Sequence, residues 1–247
     1  MAHDFMTLAA IGVAFSLAGF VKGVIGLGLP TISMGLLGLV LTPVQAAALL
    51  ILPSVVTNAW QLVAGPALGV LLKRLWSLFA GVTIGSCLGS GWLAHGGHEA
   101  KMALGLALIA YAAVGLGKVK LAVPGGFEAI ASPLIGLATG LVTAATGVFV
   151  IPAVPYLQAL GLEKEELIQA LGLSFMVSTL ALAALLWSDG ALGVPALGGS
   201  LVALCPALLG MALGTWLRAR VSPETFKTWF FIGLAALGAY LSGSAML

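Results

Sequence analysis

Between Gly23 and Leu72 the chain runs for fifty residues without a charged side chain. A helix rises about 1.5 Å per residue, so about 20 residues span the ~30 Å hydrocarbon core of a bilayer. That one run holds two crossings. Further uncharged runs cover Ala129 to Leu162, Leu167 to Ser188, Gly190 to Leu217 and Thr228 to Leu247, leaving no stretch for a separate soluble domain. Of the 247 residues, 61% are hydrophobic and 7% charged, where a soluble domain carries roughly a quarter of its residues as charges. A soluble fold is excluded. The runs lack the period-two alternation of a barrel strand, and a helix satisfies its own backbone in lipid. The expected class is an all-α integral membrane protein.

Apolar length, Gly/Pro punctuation and charge place segments near 5–22, 27–41, 43–64, 75–94, 101–117, 128–146, 148–160, 165–187, 195–217 and 224–243. Two are short, Leu27 to Leu41 and Val148 to Leu160, and each follows a stretch of poor helix formers. They read as broken helices, which gives 8–10 transmembrane or broken helices. If all ten segments change sides, or if each short one re-enters beside its predecessor, one face receives Lys22, Lys73, Arg74, Lys118, Lys120, Lys164, Arg218, Arg220 and Lys227. The other face receives only Lys101. If the short segments merely continue the preceding helices, the split falls to four against five. The positive-inside rule favours the asymmetric arrangement. The expectation is a multi-pass protein of the bacterial inner membrane with both termini periplasmic. The start, Met1-Ala2-His3-Asp4, lacks the basic region of a cleavable signal and reads as a retained first helix.

The chain also matches itself. Gly19 and Gly26 meet Gly140 and Gly147, Pro30 meets Pro152, and Gln45-Ala46 meets Gln169-Ala170. Farther on, Ser54 meets Ser178, Gly85/Gly89 meets Gly210/Gly214, Trp92 meets Trp216 and Lys101 meets Lys227. An odd number of segments per half inverts the second copy, which puts the matched lysines 101 and 227 on opposite faces. Two inverted repeats are expected, residues 1–120 and 121–247, in one transmembrane domain. Inverted repeats with broken helices are a transporter signature, and binding in such folds lies near the midplane where half-helices end; a duplication that only builds a stable bundle is the bland alternative.

Two stretches are candidates for such ends, Gly19 to Pro30 and Gly140 to Pro152. Their glycines free backbone N–H groups to face an anion at a helix start. The residues expected to bind substrate are Lys22, Gly23, Gly26 and Gly28 in the first, and Thr143, Thr146 and Gly147 in the second. On the following long segments, Ser54 with Asn58 one turn on, and Ser174 with Ser178, are expected to line the pathway. Competing readings stay open: Lys22 at an interface simply snorkels, Gly-xxx-Gly spacing packs helices, and membrane Ser and Thr bond back to their own helix. Gly85/Gly89 and Gly210/Gly214 are read as packing surface. Thr42-Pro43 and Glu163, Glu165 and Glu166 read as helix starts.

The net charge of +2 is scattered, which argues against nucleic acid as a partner. Cys87 and Cys205 sit in apolar segments and frame no disulfide or metal site. His95 and His98 flank glycines in what reads as a short exterior loop, with no cysteine nearby, so no metal and no cofactor are expected. No carboxylate falls squarely within a segment, and no hydrolase motif is present. An enzyme is not expected.

Gly19-x-x-x-Gly23-x-x-Gly26-x-Gly28, the run Gly140-Leu141-Val142-Thr143-Ala144-Ala145-Thr146-Gly147 and the stretch Gln169-Ala170-Leu171-Gly172-Leu173-Ser174-Phe175 resemble the sulfite exporter TauE/SafE family, also called the toluene sulfonate uptake permease family. The resemblance covers nearly the whole chain. The family's Gly-x-Gly-Gly run is reduced here to Gly26-Leu27-Gly28-Leu29, and to Gly147-Val148-Phe149 in the second half. The resemblance implies a small bacterial inner-membrane protein of two inverted halves that moves sulfite, sulfonates or another sulfur-containing anion. The expected function is a secondary transporter of small anions working by alternating access. A membrane scaffold or assembly subunit without a translocated substrate, or an anion channel, is the alternative. Expected partners are the lipid bilayer and a small anionic substrate, with a homodimer left open.

Overall fold

The computed structural model describes residues 2–117, 122–124, 126–218, 220 and 223–246. They form eleven helices: α1 (Ala2–Ile25), α2 (Leu29–Leu37), α3 (Pro43–Ala64), α4 (Leu68–Leu88), α5 (Trp92–His95), α6 (Gly97–Leu116), α7 (Glu128–Thr146), α8 (Ala153–Ala159), α9 (Lys164–Ser188), α10 (Val194–Leu217) and α11 (Pro223–Ser244). No strand occurs among the described residues. By length and apolarity, seven spans among them are able to cross a membrane: Met6–Ile25, Pro43–Ala64, Leu68–His95, Gly97–Leu116, Glu128–Thr146, Lys164–Ser188 and Val194–Leu217. Large apolar side chains such as Trp60, Val63, Trp76, Leu88 and Trp187 are turned outward, as lipid requires.

Glycine seams set the directions of the helices. In lipid no hydrophobic effect drives helices together, so close backbone approach must supply the attraction. A Cβ at Gly19 would overlap the Ala207 carbonyl, and one at Gly23 the Met211 carbonyl; Gly210 lies likewise on Ser16 and Gly214 on Phe20. Residue numbers rise together, so α1 and α10 run parallel. The same reasoning makes α4 parallel to α7, through Gly81 on Pro133, Gly85 on Leu137, Gly136 on Leu78 and Gly140 on Val82. Between α6 and α11 the numbers run oppositely, with Gly105 on Gly238 and Gly115 on Phe231. Gly89 faces the Ala144 methyl.

The two short helices return across the fold. Lys22 and Gly26 stand level with Asn58 and Gln61, so α1 and α3 are parallel. The start of α3 therefore lies roughly 27 Å back toward the start of α1, and the chain through α2 covers that distance. The helical part is shorter than the expected 27–41: its nine residues rise only ~13 Å. In the other broken stretch, Val123 N donates to Ala159 O at 3.1 Å and Ser132 bonds Tyr156, which brings the end of α8 back to the start of α7. There the helix is Ala153–Ala159 rather than 148–160. The expected 75–94 segment divides into α4 and the one-turn α5 at Gly91, and His95 and His98 fall in α5 and the first turn of α6 rather than in an exterior loop.

Lys73, Arg74, Lys164, Arg218, Arg220 and Lys227 gather at the end where α1, α3 and α10 finish, and Lys101 lies at the other. Lys118 and Lys120 are outside the described residues. At this basic end Arg74 clasps Glu128 with two hydrogen bonds of 2.7 and 2.8 Å, tying α4 to α7.

Candidate functional site

The centre of the fold is the antiparallel pair α3 and α9, with Gly65 lying on Gln169 and Gly172 on Gln61. Pro53 lacks an N–H and so frees the Leu49 carbonyl four residues earlier. Ser200 of α10 takes it up: its Oγ donates to Leu49 O at 2.9 Å and accepts from Leu52 N at 3.0 Å. At mid-length on both helices stand Ser54, Ser174 and Ser178, each 1% exposed or less. Their hydroxyls have no hydrogen-bond partner among the described residues, nor does Gln61 Oε1. Buried polar atoms are rarely left so; of the six such atoms among the described residues four belong to this helix pair, the other two being the hydroxyls of Tyr111 on α6 and Ser242 on α11.

Lys22 enters from α1. It is 3% exposed, so it does not snorkel to an interface. Its ammonium donates to Asn58 Oδ1, Asn58 Nδ2 donates to Thr179 Oγ1 at 3.5 Å, and the Phe175 ring centroid lies 6.0 Å from Nζ. No carboxylate among the described residues lies within ion-pair distance of it. Gln61 Nε2 donates to Gly26 O at 2.8 Å, holding the end of α1 where Gly26 turns at φ +81°. A Cβ there would have nothing nearer than 3.8 Å.

Thus Lys22, Gly26 and Asn58 meet at the α1/α3/α9 junction, and Ser54, Ser174 and Ser178 are buried at mid-length on the same α3/α9 pair. The other expected residues go elsewhere. Gly23 is in the α10 seam, and Gly28 turns into α2 against Val21 and Phe230. Gly147, at φ +70°, faces Met34 and Ala47. Thr143 and Thr146 donate back to Thr139 O and Val142 O, both at 2.7 Å. Two residues at the junction stand outside the expected binding set: Gln61, which the sequence offers only as a polar residue along the pathway, and Phe175. Gln61 carried a signal, since residues 54, 58 and 61 lie on one helical face; Phe175 carried none, because a ring below a cation reads as core. No group of His, Cys, Asp and Glu that fits a metal occurs among the described residues.

A buried lysine beside spare hydroxyls, with no carboxylate partner among the described residues, suits a small anion. The profile described as Sulfite exporter TauE/SafE matches residues 10–241. The chain belongs to the sulfite exporter TauE/SafE family. Membership makes this TauE/SafE protein a multi-pass membrane protein of a transporter family for sulfur anions. No curated protein and no solved structure matches it significantly.

Proposed function

We propose that this TauE/SafE protein is a secondary transporter that carries sulfite, a sulfonate or a related sulfur oxyanion by alternating access between inverted halves, residues 1–120 and 121–247. Uncompensated Lys22 carries the reading. Taking an ammonium out of water costs several kcal/mol. A hydrogen bond from a charged group returns about 1.5–3 kcal/mol, and a ring at 6.0 Å sits at the distance limit of a cation–π contact worth ~0.5 kcal/mol. A bound anion supplies the rest, with the hydroxyls of Ser54, Ser174 and Ser178 donating to its oxygens.

The packing supports inverted halves. Exchanging α1, α3, α4 and α6 for α7, α9, α10 and α11 turns the α1/α10 seam into the α7/α4 seam, and maps the antiparallel pairs α3/α9 and α6/α11 onto themselves. The gathering of basic residues at one end supports a cytoplasmic face there and periplasmic termini.

Thermal unfolding of the purified protein with sulfite, sulfate, thiosulfate and alkyl sulfonates tests the site, because a ligand that binds only the folded state raises stability. We expect a sulfur oxyanion to raise the midpoint, and Lys22→Gln to weaken that effect at least tenfold while the protein without ligand stays folded. No shift with any anion, as for a scaffold, or an unchanged shift in Lys22→Gln, removes the proposed site.

A further inference from the structure

One pair of glutamines is matched in the duplication but bonded differently. A shift of 124 residues takes Gln45 to Gln169, and it takes Leu62 to Leu186 and Ala67-Leu68-Gly69-Val70 to the identical Ala191-Leu192-Gly193-Val194. At the basic end Gln169, fully buried, donates from Nε2 to Leu62 O and accepts from Ala67 N at Oε1, both at 2.7 Å. Its side chain lies flat on Gly65, where a Cβ would overlap it. The second turn of α9 is thereby clamped over the end of α3.

At the other end the equivalent bonds are not made. Ala191 N and Leu192 N both donate to Leu186 O, at 2.8 and 3.1 Å. Gln45 instead caps its own helix: Thr42 N donates to Gln45 Oε1 at 3.1 Å. Gln45 and Ala191 line a cleft of about 460 Å³ together with Ile11, Leu41, Val44 and Leu49. Leu49 lies about 7.5 Å along α3 from Ser54. One end of the α3/α9 pair is clamped and the matched end is open, with the same residue type available at both.

We propose that Gln45 and Gln169 are the latches of two gates, one at each end of the α3/α9 pair, that close in alternation. The proposal rests on the alternating-access reading above. When the open end closes, Gln45 Oε1 takes the Ala191 N–H and Nε2 donates to Leu186 O, while Thr42 N at the helix start returns to water. When the basic end opens, Gln169 withdraws and Ala67 N turns to Leu62 O, as Ala191 N now does to Leu186 O. Apart from Thr42 N, which exchanges Gln45 for water at an exposed helix start, the backbone groups at the two ends exchange one protein partner for another, so a ligand with modest preference for one state shifts the population.

Two spin-label pairs related by the same shift read the gates: Val40→Cys with Leu192→Cys at the open end, and Lys164→Cys with Leu68→Cys at the basic end, with Cys87 and Cys205 replaced by Ser. Pulsed distance measurements in nanodiscs should give the parent a long first distance and a short second one. Gln169→Ala should lengthen the second and shorten the first in the same molecules. Gln45→Ala should keep the first long, even with saturating sulfite, and lose transport. Gln169→Glu, which keeps the acceptor for Ala67 N but not the donor to Leu62 O, should fall between parent and Gln169→Ala. If sulfite moves the two distances in opposite senses in the parent but the glutamine variants behave as the parent does, the latches are wrong and alternating access stands. If Gln169→Ala lengthens the second distance without shortening the first, Gln169 is a static clamp. If the two distances never move oppositely under any condition, the alternating-access reading fails with it.

Discussion

Gly26 and Lys22 show how different the demands on neighbouring residues are. Gly26 needs a left-handed backbone and has space around its missing Cβ, so Gly26→Ala tests backbone strain with no clash. It should cost about 1–2 kcal/mol of stability and weaken anion binding, since the carbonyl it displaces holds Gln61. Gly147→Ala meets the flexible Met34 tip at 2.7 Å and should cost a similar amount with binding kept; equal loss of binding in both variants would return Gly147 to the site. The match of Ser54 with Ser178 in the duplication, and the four-residue spacing of Asn58 and Ser174 from them, make these four legible as candidates, because residues four apart share a helical face. Spacing does not reveal how a helix is rotated against its neighbours. For that reason Gly23, one position from Lys22, reads as part of the same site although it points into α10, and Thr143 and Thr146 read as available although each hydroxyl is spent on its own helix.

Among the elements, α3 depends on α10 for a bond that its own sequence gives up at Pro53. Ser200→Ala removes the donor to Leu49 O in lipid, and should cost about 1–3 kcal/mol, read as a lower thermal midpoint in detergent. Ser188→Ala, whose hydroxyl bonds Leu185 O at an exposed helix end, should change little. The glycine seams give a second contrast. Gly85→Ala drives a methyl into the Leu137 carbonyl and must part α4 from α7, whereas Gly12→Ala in α1 meets nothing within 4 Å and should stabilise by up to about 1 kcal/mol. Helix existence was plain from the uncharged runs, and the start of α3 from Thr42-Pro43, where the cap and its reciprocal Gln45 bond are both present. The lengths of α2 and α8 were not plain. An apolar residue in an extended segment inside a membrane protein looks the same as one in a helix, and only backbone partners tell them apart.

For the molecule as a whole, the proposed orientation rests on the basic end. A periplasmic reporter fused after Leu247 should be active and a cytoplasmic one silent; the reverse result would place Lys101 alone on the cytoplasmic side against the charge rule. The main seams also join early sequence to late sequence: α1 to α10, α4 to α7, α3 to α9 and α6 to α11. That has a consequence for how the protein is made. At a synthesis rate of about 5–20 residues per second, α10 leaves the ribosome roughly 10–40 s after α1 is complete. Throughout that interval Gly19 and Gly23 lack the α10 backbone they pack on, and Lys22 waits before Thr179 and Phe175 exist. Nascent chains arrested before Val194 should therefore be open to proteolysis and rapid turnover, and the insertion machinery must shelter the first half until its partners arrive.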